Sequence, residues 1–217
     1  MLESGALGEY LKAFIAIFVL IDPIGAIPVY LSVTPNYTPA EHRRTVRRIA
    51  LATALILILA LAIGSPALAL LGISLPAFRV AGGLLLLLMA LGMMQASPTG
   101  ARQFHEEASE AAEKPDIAVI PMATPILAGP GAIGAMIVYG HIKSTAVNYL
   151  VLTGIVVVVA GISWLALRMA APIGARLHKT GINLLTRIMG LLLAAIAVEM
   201  AANGLRDLFP ALGIVAK

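Results

Sequence analysis

Apolar residues recur in six long stretches of this chain, near residues 8–33, 48–71, 76–95, 117–140, 146–169 and 183–207, with short polar segments between them. Positions 49–78, 117–142 and 144–167 hold no Asp, Glu, Lys or Arg. A bilayer crossing needs about 20 predominantly apolar residues. The pattern therefore predicts an all-α membrane protein with six transmembrane helices. Gly72-Ile73-Ser74-Leu75-Pro76 predicts a tight turn between the second and third. Residues 97–116, with Glu106, Glu107, Glu110 and Glu113 and no apolar run, read as a solvated loop. Pro172 and Gly174 read as leading into a basic loop before the sixth span.

Two of the spans carry a string that does not suit a continuous helix. The first holds Asp22-Pro23-Ile24-Gly25-Ala26-Ile27-Pro28, and the fourth, 102 positions on, holds Thr124-Pro125-Ile126-Leu127-Ala128-Gly129-Pro130. Proline removes a backbone donor and glycine weakens a helix, so the first and fourth helices are expected to be interrupted at 22–28 and 124–131. A polar capping residue followed by proline is also the way a helix starts. Spans three and six share a second pattern, Arg79-Val80-Ala81-Gly82 and Arg187-Ile188-Met189-Gly190. The chain thus reads as one integral membrane domain of two three-helix repeats, 1–95 and 117–217, joined by an acidic loop over 96–116. Three is odd, so the second copy enters the membrane from the opposite side. This is the inverted-repeat plan of several transporter folds, with the binding site at the broken helices near the bilayer centre.

Composition agrees: 60% of residues are hydrophobic and 12% charged, where soluble domains carry about 25% charged. The net charge of +4 could suggest nucleic acid in a soluble protein. Here the excess lies in short loops, so it reads as topology and no nucleic-acid partner is expected. Ten of the Lys and Arg residues flank loops one-two, three-four and five-six, and five the other face, which predicts both termini outside. There is no cysteine, and the histidines at 42, 105, 141 and 178 have no metal-ligand spacing. No metal and no cofactor are expected. No H-E-x-x-H, G-x-S-x-G or Walker A motif occurs, so an enzyme is not expected either.

Asp22 falls about 15 Å into the membrane if the helix begins near Lys12. An acid at that depth is costly unless it is paired, solvated or bound to a cation. It reads first as a binder of a coupling proton or sodium, or of a substrate ammonium, with a cap on backbone N–H groups as the alternative, and both can hold at once. Two helix restarts bring positive dipole ends into mid-membrane, which suit an anionic group. The small residues around them imply a small, carboxylate-bearing ligand. The candidate binding residues are Asp22, Pro23, Gly25, Pro28, Thr124, Pro125, Gly129, Pro130 and Gly131. Arg79 and Arg187 read either as interface anchors or as groups that cap the breaks or pair with Asp22 and Glu199. Glu199 belongs either to an outer gate or proton path, or to the outer interface.

These strings, with Gly72–Gly83, Ala128–Ile133 and Thr186–Gly190, resemble the MarC family of integral membrane proteins, which overlaps the small neutral amino acid transporters (NAAT). The resemblance covers essentially the whole chain. It implies a six-span protein of the inner membrane that moves small neutral amino acids such as alanine and glycine. Relatives often carry an amide at the position of Glu199, so the resemblance lends that acid no role. The expected function is a secondary transporter of such amino acids, coupled to a proton or sodium and working by alternating access, open to forming a homo-oligomer. The rival readings are a channel and a non-transporting membrane scaffold or regulatory subunit.

Overall fold

The computed structural model describes residues 4–95, 117–142 and 145–210, and among these every regular element is helical. In chain order they are α1 (Ser4–Ile21), α2 (Ala26–Val33), α3 (Pro39–Leu70), α4 (Leu75–Gln95), α5 (Ala118–Leu127, wound more widely than an α-helix), α6 (Pro130–Ile142), α7 (Ala146–Arg168) and α8 (Ala170–Leu208). Five helical stretches are long and apolar enough to cross a membrane: Leu7–Val33, Pro39–Leu70, Leu75–Gln95, Ala146–Arg168 and Asn183–Leu208. The expected fourth span is not among them, its two helices α5 and α6 having 10 and 13 residues. The acidic loop, with Arg102, Lys114, Lys143 and Lys217 of the charge count, lies outside the described residues.

Local chemistry sets the helix ends. At α3, the Thr38 hydroxyl accepts from the Glu41 amide at 3.3 Å while the Glu41 carboxylate accepts from the Thr38 amide at 2.7 Å, a complete capping box with Pro39 at the first helical position. Thr145 caps α7 by accepting from the Asn148 amide at 3.2 Å. Gly72 turns the chain between α3 and α4 with φ of +69°, which glycine alone adopts without strain.

The core is built around α1, α2, α5 and α6, which α3 and α7 flank. Reciprocal packing runs through it. α3 packs on α5 and α6, and α7 packs on α1 and α2. Likewise α4 packs on α6, and α8 on α2. The tightest pair is α4 with α8. An added Cβ at Gly83 would sit 2.7 Å from the Ala197 carbonyl oxygen, at Gly190 3.0 Å from that of Ala90, and at Gly204 2.8 Å from that of Pro76. As positions rise along α4 their partners fall along α8, so the two helices are antiparallel, and these glycines let the backbones touch.

One loop expectation is overturned. Residues 172–182 are not a basic loop but the first turns of α8, which starts at Ala170. Pro172 is the third residue of that helix, where no intrahelical bond is lost by its missing N–H, so it permits the helix rather than ending the preceding segment. Arg43, Arg44, Arg47 and Arg48 similarly ride on the first turns of α3, which begins nine residues before the expected start.

Candidate functional site

The first break lies between α1 and α2. Asp22 ends α1 with φ of +42°, the left-handed region that aspartate tolerates better than most residues. Its Oδ1 accepts from the Gly25 amide at 3.0 Å, and its carbonyl accepts from the Ala26 amide at 3.1 Å. The Ile27 amide donates to the Ile24 carbonyl, and Pro28 has no N–H. Asp22 therefore caps α2, as its sequence pattern suggests, although regular helix resumes at Ala26 rather than at Pro23. A consequence runs against expectation: the first donors of α2 are satisfied by the protein, and the negative charge at this helix end is Asp22 itself. Gly25 is needed because a methyl there would collide with the Asp22 carboxylate.

The second break is the work of three prolines. Ile120 (φ −126°, ψ 120°) and Thr124 (φ −134°, ψ 125°) are extended inside α5, and each precedes a proline, Pro121 and Pro125. A residue before proline is pushed out of the helical region. Thr124 takes the extended conformation of a cap, but the chain beyond it makes only a single turn ending at Ala128, and regular helix restarts at the third proline, Pro130. In α6 the first bond is from the Ile133 amide to the Gly129 carbonyl at 3.1 Å. The amides of Gly131 and Ala132 lie ahead of that ladder, where a helix has no carbonyl of its own to offer. Both residues are buried.

The two breaks lie against each other. An added Cβ on Gly131 would collide with Leu86 and sit 3.2 Å from Leu20, two residues before Asp22. α1 packs on α6 and α2 on α5, so the interrupted segments interlock in the core. On α3 a further polar group faces this region. Thr53 is fully buried and its hydroxyl has no hydrogen-bond partner among the described residues. Gly64 of α3 meets Ile137 of α6, and Ser65 meets His141. Counting back along both helices from these contacts brings Thr53 level with the start of α6. Sequence reading did not single it out; the available signal was a threonine inside a charge-free span.

The remaining candidates are elsewhere. Arg79 does not cap a break or pair with Asp22; its Nη1 lies 2.6 Å from Asp207 Oδ2. Arg187 is exposed on α8, eighteen positions into that helix and not at its start. Glu199 is exposed, and with Arg79 it lines a cavity toward the face where α1 begins. At the opposite face the Tyr30 hydroxyl lies 2.7 Å from His42 Nδ1, with Tyr30 buried and Tyr37 edge-on to the same ring. Among the described residues, no three His, Cys, Asp or Glu side chains are grouped as metal ligands would be.

Known proteins include many relatives of this chain. A family model described as "MarC family integral membrane protein" matches residues 7–209. The UPF0056 membrane protein YhcE of Escherichia coli is 40% identical over 206 residues, which cover 94% of each chain. The UPF0056 membrane protein MJ1677 of Methanocaldococcus jannaschii is 40% identical over 91% of this chain and 96% of its own. The UPF0056 membrane protein YvbG of Bacillus subtilis is 37% identical over 92% and 95%. No solved structure matches the chain.

Proposed function

The chain belongs to the MarC family of integral membrane proteins, and from that premise we propose that it is a secondary transporter of small neutral amino acids such as alanine and glycine. The observation that carries this reading is the contact between the two interrupted helices, Leu20 against Gly131, in a buried core. Broken helices are tolerated at membrane depth only where the freed backbone is enclosed by protein or lines a cavity. In transporters such breaks hold the substrate.

The chemistry divides between the breaks. The amides of Gly131 and Ala132, at the positive end of α6, receive the substrate carboxylate, and the unpartnered Thr53 hydroxyl adds a third donor. Asp22 supplies the opposite charge, for the substrate ammonium or a coupling proton or sodium. This differs from a symmetric cradle, because the first-turn donors of α2 are already engaged. The small residues at the second break, Ala128, Gly129, Gly131 and Ala132, leave room for a small side chain only. The protein sits in the cell's inner membrane, with both termini outside.

The reciprocal packing supports two inverted three-helix repeats, with α5–α6 as the sixth crossing. Access alternates as one repeat rocks against the other.

The test is exchange of labelled alanine in proteoliposomes. We expect saturable counter-exchange, lost or at least tenfold slower in Asp22→Asn. Unaltered exchange in that variant removes Asp22 from the mechanism. An ionic current without saturation makes the protein a channel, and neither flux nor binding makes it a scaffold.

A further inference from the structure

At the face where α1 begins, helices α1, α4, α6, α7 and α8 part around a cavity of about 600 Å³. Its polar wall holds Tyr139, Asn148 and Glu199, and Lys12 and the Arg79–Asp207 pair stand nearer the helix ends. At its inner end are Leu20 and Leu86, the two side chains that press on Gly131. The cavity therefore stops at the wall of the second break, with Leu86 as the partition.

The charges in this cavity are not equivalent. Arg79 is held by Asp207, one carboxylate for one guanidinium. Glu199 makes no ion pair among the described residues, although Lys12 and Arg206 line the same cavity. It lines the cavity together with Tyr139. Asn148 is buried, and its Nδ2 donates to the Tyr139 carbonyl at 3.1 Å. That bond fixes the amide and leaves its side-chain oxygen as an acceptor. A carboxylate that makes no ion pair among the described residues, in one cavity with two neutral polar groups, is the counterpart of a small cation with hydrogens to donate.

We propose that this cavity is a second binding compartment for a primary ammonium group, with Glu199 as its counter-ion, and that Leu86 separates it from the break. The proposal rests on the proposed amino acid transport. An amino acid arriving from this face is held first by its ammonium beside Glu199, and passes to the Gly131 and Ala132 amides when Leu86 turns aside. A cavity of this volume is far larger than alanine, as suits a compartment that loads a tighter site.

The experiment uses the full chain, purified and in proteoliposomes, with labelled alanine and, as controls, ethylamine (ammonium only) and lactate (carboxylate only). The absence of cysteine makes single-cysteine labelling direct. Glu199→Gln is expected to weaken alanine binding at least tenfold and to abolish protection by ethylamine, while Glu199→Asp retains both. Asn203→Cys, on the exposed α8 face that lines the cavity, is expected to react with a membrane-impermeant thiol reagent, and alanine and ethylamine are expected to slow that reaction while lactate does not. Ala132→Cys should react only when Leu86→Ala is added. Alanine binding to Glu199→Gln at wild-type affinity, or Asn203→Cys labelling indifferent to alanine, overturns this proposal and leaves the break site standing. Wild-type protein that neither binds nor exchanges alanine overturns both.

Discussion

The Asp22 carboxylate folds back over its own turn and accepts the Gly25 amide at 3.0 Å, from a residue whose φ is +42°. One side chain thus ends α1 and begins α2. Asparagine can do both, since it tolerates the left-handed region and caps helices; alanine can do neither. Thermal unfolding in detergent should therefore place Asp22→Asn close to wild type. Asp22→Ala should be about 2–3 kcal/mol less stable, summing a lost cap and a left-handed alanine. Together with lost exchange in Asp22→Asn, that result separates charge from capping.

Thr53 carries a buried hydroxyl without a partner among the described residues, which costs about 1–3 kcal/mol in desolvation. Thr53→Val should raise the unfolding temperature. The same change should weaken alanine binding about tenfold, the worth of a hydrogen bond to a charged group of about 1.5 kcal/mol. Stability gained with affinity lost marks a group kept for its ligand.

Glycines on different helices should respond oppositely to alanine. Gly83→Ala and Gly204→Ala push a methyl into the backbone of the facing helix, and overpacking of that kind costs about 1–3 kcal/mol. Gly154→Ala and Gly161→Ala on α7 meet nothing within 4 Å and should hold or raise stability, by up to about 1 kcal/mol. Melting of the four variants side by side checks the α4–α8 seam.

Tyr30→Phe deletes one hydroxyl, at 2.7 Å from His42 Nδ1, in a side chain that is otherwise fully enclosed. The net loss expected is about 1 kcal/mol, read as a lower unfolding temperature in detergent. Tyr37→Phe, which keeps its ring edge-on to the same histidine, should change stability less.

The breaks were readable because proline and aspartate act locally. Pro121 and Pro125 disfavour the helical region for the residues before them, which are extended here, and Asp22-Pro23 announces a cap. The partner of Arg79 was not readable, because Asp207 lies 128 positions away and meets it only through the antiparallel packing of α4 and α8. The segment 172–182 misled because proline and glycine signal a turn in general, whereas Pro172 sits in a first turn that spares its missing N–H. Thr53 stayed hidden because a lone hydroxyl in an apolar run is common, and only burial without a partner distinguishes it. The occupied donors of α2 were beyond sequence too, since the backbone bonds to Asp22 and Ile24 depend on how one turn closes.

Finally, α8 runs for 39 residues without interruption, about 58 Å, from the turn at Met169 to Leu208. Near one end Gly174 rests on Leu31 of α2, in the middle Gly190 rests on α4, and beyond that Glu199 looks into the cavity. Because α4 holds α8 from Gly190 to Gly204, the stretch that carries Glu199 is clamped to α4, while the first turns of the same unbroken helix rest on α2.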